Sequence, residues 1–164
     1  MSSYSSSSFS DPNSVNILVA DDFAEWRVRV RCVLEARPDW HIIFETSDGL
    51  QAVEKARELR PDIVLLDIGM PSLNGIEAAT KIKQACAGSK IVFLTQNADR
   101  EVVNAALATG AQGYVLKPNA ATELIPAISA ALMTPPGRKR VKGVFLAADE
   151  QETQGSRCDV AKAT

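Results

Sequence analysis

Residues 62–71 read Asp62-Ile63-Val64-Leu65-Leu66-Asp67-Ile68-Gly69-Met70-Pro71, and Gly75 follows closely. The run is rich in Ile, Val and Leu without strict alternation, the pattern of a strand covered on both faces. Asp67 ends the run. An acid placed where a buried strand stops stands exposed at a sheet edge with its backbone fixed. Ligand sites in open α/β sheets lie outside the carboxyl ends of the strands.

Outward from this run, the same unit recurs. Strands are expected at Asn16–Ala20, His41–Thr46, Ile63–Asp67, Lys90–Thr95 and Gly113–Leu116. Helices are expected at Ala24–Ala36, Gly49–Leu59, Gly75–Ala85, Arg100–Thr109 and Thr122–Met133. Asp48-Gly49, Arg60-Pro61-Asp62 and Thr109-Gly110 punctuate the boundaries. A repeated βα unit makes a parallel sheet with helices on both faces, and right-handed crossovers make it doubly wound. Pro126 conflicts with its helix, because it removes a backbone donor. With Thr122 as N-cap, the damage is confined to the first turn, and a tight or irregular start is expected there.

The 164 residues fit one domain with tails, and a net charge of −2 gives no argument for wholesale binding to nucleic acid or membrane. Residues 1–14 are Ser-rich and lack the basic start and apolar core of a signal peptide, so disorder is expected. Residues 15–133 form the expected domain. After it comes Thr134-Pro135-Pro136-Gly137, a short basic run from Arg138 to Lys142, and a polar tail to residue 164 with no second helix-rich pattern. No run spans a bilayer, and a cytoplasmic location follows. Cys32, Cys86 and Cys158 lack metal-ligand spacing and are expected as buried free thiols. His41, Trp26 and Trp40 are expected in structural roles.

The ends of the first, third, fourth and fifth strands bring together Asp21, Asp22, Asp67, Thr95 and Lys117. Clustered carboxylates resist full ionisation unless a cation joins them. Mg²⁺ suits such a site: it is hard, prefers oxygen and keeps waters. Asp67 can attack phosphorus to give an acyl phosphate. Lys117 can neutralise charge on the transferring group, and the Thr95 hydroxyl can hydrogen-bond a phosphoryl oxygen. Taken singly, Asp21 or Asp22 also reads as a helix cap, Lys117 as a solvated loop residue, and Asp67 as a turn acid. Their conjunction at strand ends points to phosphoryl chemistry.

These segments resemble the receiver domain of bacterial two-component response regulators: Ile17–Asp22, Asp62–Pro71 with Gly75, Ile91–Thr95, and Gly113-Tyr114-Val115-Leu116-Lys117-Pro118. The resemblance covers about Val15 to Met133. It implies a flavodoxin-like five-stranded sheet of order 2-1-3-4-5. It implies phosphorylation of Asp67 by a sensor histidine kinase, with control of an output protein. Mg²⁺ would be held by Asp22, Asp67 and the backbone carbonyl of Gly69, with Asp21 acting through water. Lys117 would contact the phosphoryl group, and Thr95 and Tyr114 would be the switch pair, the ring turning inward as Thr95 moves. The Lys117-Pro118 peptide would be cis. The protein would catalyse only its own phosphorylation and dephosphorylation. Tyr114 also reads as half-buried packing with a wet hydroxyl.

Two departures stand beside the acceptor. Gln96 replaces a usually small residue after Thr95, and Gly69 carries no side chain. Both predict an altered phosphoryl lifetime. The Gly-Tyr-Val-Leu-Lys-Pro-Asn segment resembles regulators of the LuxR type, whose DNA-binding output domain is not expected here. A stand-alone receiver and a regulator cut short both fit. A phosphohydrolase of the haloacid dehalogenase type would need a second acid where Gly69 stands. A phosphorylation-independent interaction module is the other rival. Direct binding of nucleic acid or membrane is not expected. The Ala-rich fourth and fifth helices suit either a homodimer face or packing on the sheet.

Overall fold

The computed structural model describes residues 11–135. Five strands, β1 (Val15–Ala20), β2 (Trp40–Thr46), β3 (Ile63–Leu66), β4 (Lys90–Thr95) and β5 (Gly113–Leu116), alternate with α1 (Ala24–Leu34), α2 (Gly49–Leu59), α3 (Gly75–Ala85), α4 (Arg100–Ala108) and α5 (Ala120–Leu132). The strands pair in parallel in the order β2-β1-β3-β4-β5, the flavodoxin-like order. The expected tails, the basic run and Cys158 lie largely or wholly outside the described residues.

Successive residues of a strand point to opposite faces. Leu18, Val64, Leu66, Ile91 and Phe93 therefore meet α2, α3 and α4 through Ala52, Ala56, Ala78, Ile82, Val103 and Ala106. Ile17, Val19, Ile63, Leu65, Val92 and Val115 meet α1 and α5 through Val30, Leu34, Leu124 and Ile128. This is why β3 and β4 read as continuous apolar runs. The edge strand β2 is only partly covered. Its register against β1 slips between Ile42 and Phe44, and Ile43 is left 37% exposed. A bulge of this kind bends an edge strand away from further pairing.

Side chains cap three helices as the acids and amide before them suggest. Asp48 accepts from Leu50 and Gln51 N–H, Asn74 from Glu77 N–H, and Asp99 from Glu101 N–H. Arg60, left-handed at φ 47°, ends α2 before Pro61. Gly75 opens α3 against the loop that begins at Asp67: a Cβ there would stand 2.1 Å from the Asp67 carbonyl oxygen.

Several local expectations are corrected. Helix α5 starts at Ala120, not Thr122, and runs unbroken through Pro126. A 3-10 turn over Lys117–Asn119 feeds straight into it, so the helix is already wound where Thr122 was expected to cap. The Thr122 hydroxyl instead donates to the Asn119 carbonyl at 3.2 Å. An interior proline costs about 3 kcal/mol. Burial of Leu124 and Ile128, each 0% exposed, offsets it at about 1.5–3 kcal/mol per side chain. Cys86 is buried as expected, but Cys32 is exposed, because it lies on the outer face of α1.

Candidate functional site

The sheet delivers the acids with fixed backbones. Past the end of β1, Asp21 N–H donates to the Thr46 carbonyl at 3.0 Å, and Asp67 N–H donates to the Ala20 carbonyl at 2.9 Å. The ladder thus runs one step beyond the strands and sets Asp21 and Asp67 side by side. Contrary to the expectation of exposed acids, Asp21 is 2% and Asp67 6% exposed. The physical reason lies in what covers them. Lys117 is itself 2% exposed, and its Nζ reaches Asp21 Oδ2 at 2.7 Å and Asp67 Oδ2 at 3.4 Å. The Phe23 and Trp26 rings lie over that ammonium, with centroids 5.5 and 5.2 Å from Nζ, a cation–π arrangement. Phe23 was not singled out in the sequence. The aromatic directly after the acid pair was the available signal.

Buried charges need partners, and these are incompletely partnered. The Lys117 contact to Asp21 Oδ2 is an ion pair off the hydrogen-bonding direction, and Asp22 Oδ1 is buried with no hydrogen-bond partner. Burial pushes the Asp21 carboxyl above its ordinary 3.8, against the pull of Lys117 and of the Phe23 N–H. Asp21, Asp22 and Asp67 each offer an oxygen, all within 4.8 Å of one another. Three hard oxygens, with two of these acids carrying an unsatisfied buried atom, fit one divalent cation. Gly69 lies with Asp67, Thr95, Gln96 and Lys117 on the wall of one cleft of about 210 Å³.

Thr95 ends β4, with its hydroxyl accepting from Asn97 N–H at 3.2 Å. Tyr114, 1% exposed, is turned inward. Its hydroxyl donates to the Asn97 carbonyl, and its ring lies 6.3 Å from that of Phe93. The half-buried reading with a wet hydroxyl is therefore corrected: a backbone carbonyl draws the hydroxyl inside. Burial first, and then the charges of Asp67 and Asp99, push the phenol up to about 12, so it remains a donor. Asn97 joins Thr95 and Tyr114 through its backbone, a link with no side-chain signature in sequence.

The Lys117-Pro118 peptide is not cis; the described residues contain no cis bond. Pro118 sits at the start of the 3-10 turn, where its missing N–H costs no hydrogen bond and its fixed φ suits the turn. That turn suffices to aim Lys117 inward. His41 lies near the opposite end of the sheet from the acids, beside Trp40, and takes no part.

The chain is 38% identical over 117 residues to the transcriptional regulatory protein LiaR of Bacillus subtilis, covering 71% of this chain and 56% of that one. It is 36% identical over 120 residues to the nitrate/nitrite response regulator protein NarL of Escherichia coli K12, covering 73% and 55%. It thus spans about half the length of these relatives. Among solved structures, the response regulator domain of Thermotoga maritima CheB matches at 33% identity and a TM-score of 0.70, over 75% of this chain and 99% of that one. A LuxR-family two-component response regulator from Aurantimonas matches at 31% and 0.70, over 77% and 91%. No helix among the described residues is long and apolar enough to cross a membrane. The response regulator receiver domain family matches residues 17–129, nearly the whole sheet with its helices, and the chain belongs to that family.

Proposed function

We propose that residues 15–133 form one receiver domain that accepts a phosphoryl group on Asp67 and passes the change to an output protein. The observation that carries this reading is Lys117 Nζ held between Asp21 and Asp67, 2.7 and 3.4 Å away, beside a third carboxylate. An Asp67 oxygen attacks phosphorus in line. The new O–P bond replaces the P–N bond of a kinase phosphohistidine, and the imidazole leaves with a proton. Lys117 shifts its donors from Asp67 to the phosphoryl oxygens, and Asp21 keeps it in place. The Thr95 hydroxyl already accepts from Asn97 N–H, so its own hydrogen is available to a phosphoryl oxygen. Mg²⁺ held by Asp22, Asp67 and the Gly69 carbonyl, with Asp21 through water, would supply charge neutralisation on the transferring group.

The added charge and acceptor oxygens bias the Thr95–Asn97–Tyr114 linkage, which lies on the face of α4 and β5. A sensor histidine kinase as donor, an output partner and a cytoplasmic location go with this reading. So does catalysis limited to the protein's own phosphorylation. Gly69 offers no second acid for a dehalogenase-type phosphohydrolase.

The test is intact mass after incubation with acetyl phosphate and Mg²⁺, with Asp67→Asn beside it. One phosphoryl adduct, lost in the variant and without metal, is expected. A folded protein that neither takes the adduct nor binds beryllofluoride would instead be a phosphorylation-independent module.

A further inference from the structure

We propose that Lys83 is an acyl-accepting site, taking an acyl group from an acyl phosphate onto its side-chain nitrogen. Lys83 stands in the last turn of α3, half-buried and far from the acid cluster. Its Nζ donates to the Ser89 carbonyl at 3.0 Å and to Gln112 Oε1 at 3.1 Å. Among the described residues it forms no ion pair. An ammonium has three hydrogens to place. A neutral amine has two hydrogens and one lone pair, and two acceptors match it.

Both acceptors are fixed before Lys83 arrives. Gln112 N–H donates to the Ile91 carbonyl at 2.8 Å, and Gln112 Oε1 accepts from Ile91 N–H at 2.8 Å. The Ser89 hydroxyl donates to the Pro61 carbonyl at 2.7 Å. The neighbouring cation is Lys90, 8% exposed, whose Nζ donates to the Thr134 carbonyl at 2.7 Å. A second ammonium beside it is disfavoured. Burial, and then the Lys90 charge, push the Lys83 amine down to about 8. At pH 7.5 roughly a quarter is free base, against about a thousandth for an ordinary lysine. The other described lysines lack this setting. Lys55 pairs with Glu58 at 2.8 Å, Lys117 lies between two carboxylates, and Lys81 is exposed.

An acyl phosphate presents two electrophilic atoms. A carboxylate such as Asp67 takes the phosphorus, whereas an amine takes the carbonyl carbon. At Lys83 the nitrogen lone pair forms the C–N bond, the acyl C–O bond breaks, inorganic phosphate leaves, and the nitrogen loses one proton to solvent. The amide formed has one N–H. It can keep only one of the bonds to Ser89 and Gln112.

The test uses the full chain with limiting acetyl phosphate at pH 7.5 without divalent metal, and peptide masses as readout. Acetylation of Lys83 should exceed that of Lys81 about tenfold, since lower basicity and partial burial offset most of the gain in free base. The ratio should persist in Asp67→Asn, which separates this result from phosphorylation. Gln112→Glu, checked for folding by circular dichroism, places a carboxylate that holds the ammonium and should lower Lys83 labelling about tenfold. Lys83→Arg should remove the label at that position. Labelling of Lys81 as fast as Lys83 in the wild type, or an unchanged rate in folded Gln112→Glu, overturns the proposal.

Discussion

Gln96 stands exposed on the wall of the cleft that Asp67 shares with Thr95 and Lys117, and on the function proposed above its side chain would screen the acceptor from solvent. Gln96→Ala should admit both small donors and water, speeding acetyl phosphate loading and acyl phosphate decay about threefold to tenfold. Equal decay rates in the two proteins would show that no screen exists. Gly69→Asn adds a side chain where a Cβ meets nothing within 4 Å, and should change the decay rate without disturbing the fold. Lys83 gives a pH signature. Its folded value of about 8 lies below the ordinary 10.5, so the fold prefers the neutral amine. Its charge costs stability at pH 7, and the cost is relieved progressively as pH rises from about 8 toward 10.5. Urea melts at pH 7 and pH 9.5 should therefore show a relative gain in the wild type that Lys83→Met lacks. The gain is small, because the group is half-exposed. Asp21, Asp22, Asp67, Thr95 and Lys117 were legible in the sequence because each follows or ends an apolar run. Phe23 and the backbone link through Asn97 were not. A ring folded over an ammonium and a backbone linkage leave no periodic trace.

The elements position these residues through their ends. Asp48 caps α2 with two backbone donors and also accepts from the Ser72 hydroxyl at 3.1 Å. Asp48→Ala should cost about 1–2 kcal/mol, read as a lower urea midpoint with an unchanged slope. Gly75→Ala should be worse for function than for the helix. Alanine favours a helix, but its Cβ would press on the Asp67 carbonyl and on Ile68 Cα, 2.1 and 2.8 Å away. Phosphoryl loading should fall at least tenfold, because displacement of an attacking group by about an ångström is that costly. The strands were legible to within a residue or so, since chains buried on both faces carry unbroken Ile, Val and Leu. The start of α5 was not. Proline rules place a boundary near Pro126, and the tertiary packing of Leu124 and Ile128 overrides them.

For the whole molecule, beryllofluoride with Mg²⁺ should raise the melting temperature, since a ligand bound only by the folded state at a hundredfold its Kd adds about 2.7 kcal/mol. Asp67→Asn should show no such rise. Trp26, its ring 5.2 Å from Lys117 Nζ, should report the same binding as a fluorescence change that is absent in Trp26→Phe. The layered sandwich was legible from the repeated βα unit, and its strand order from the resemblance to receiver domains. How the helices divide between the two faces emerged only with the register. Strand β4 carries Thr95 at one end and Lys90 at the other, and the Lys90 amine grips the Thr134 carbonyl just beyond α5. Those ends are about 17 Å apart at the rise of an extended chain. The anchor of the chain leaving α5 is therefore a strand's length away from the cluster of Asp21, Asp22 and Asp67, so a substitution at Lys90 should loosen the end of α5 without moving the acids.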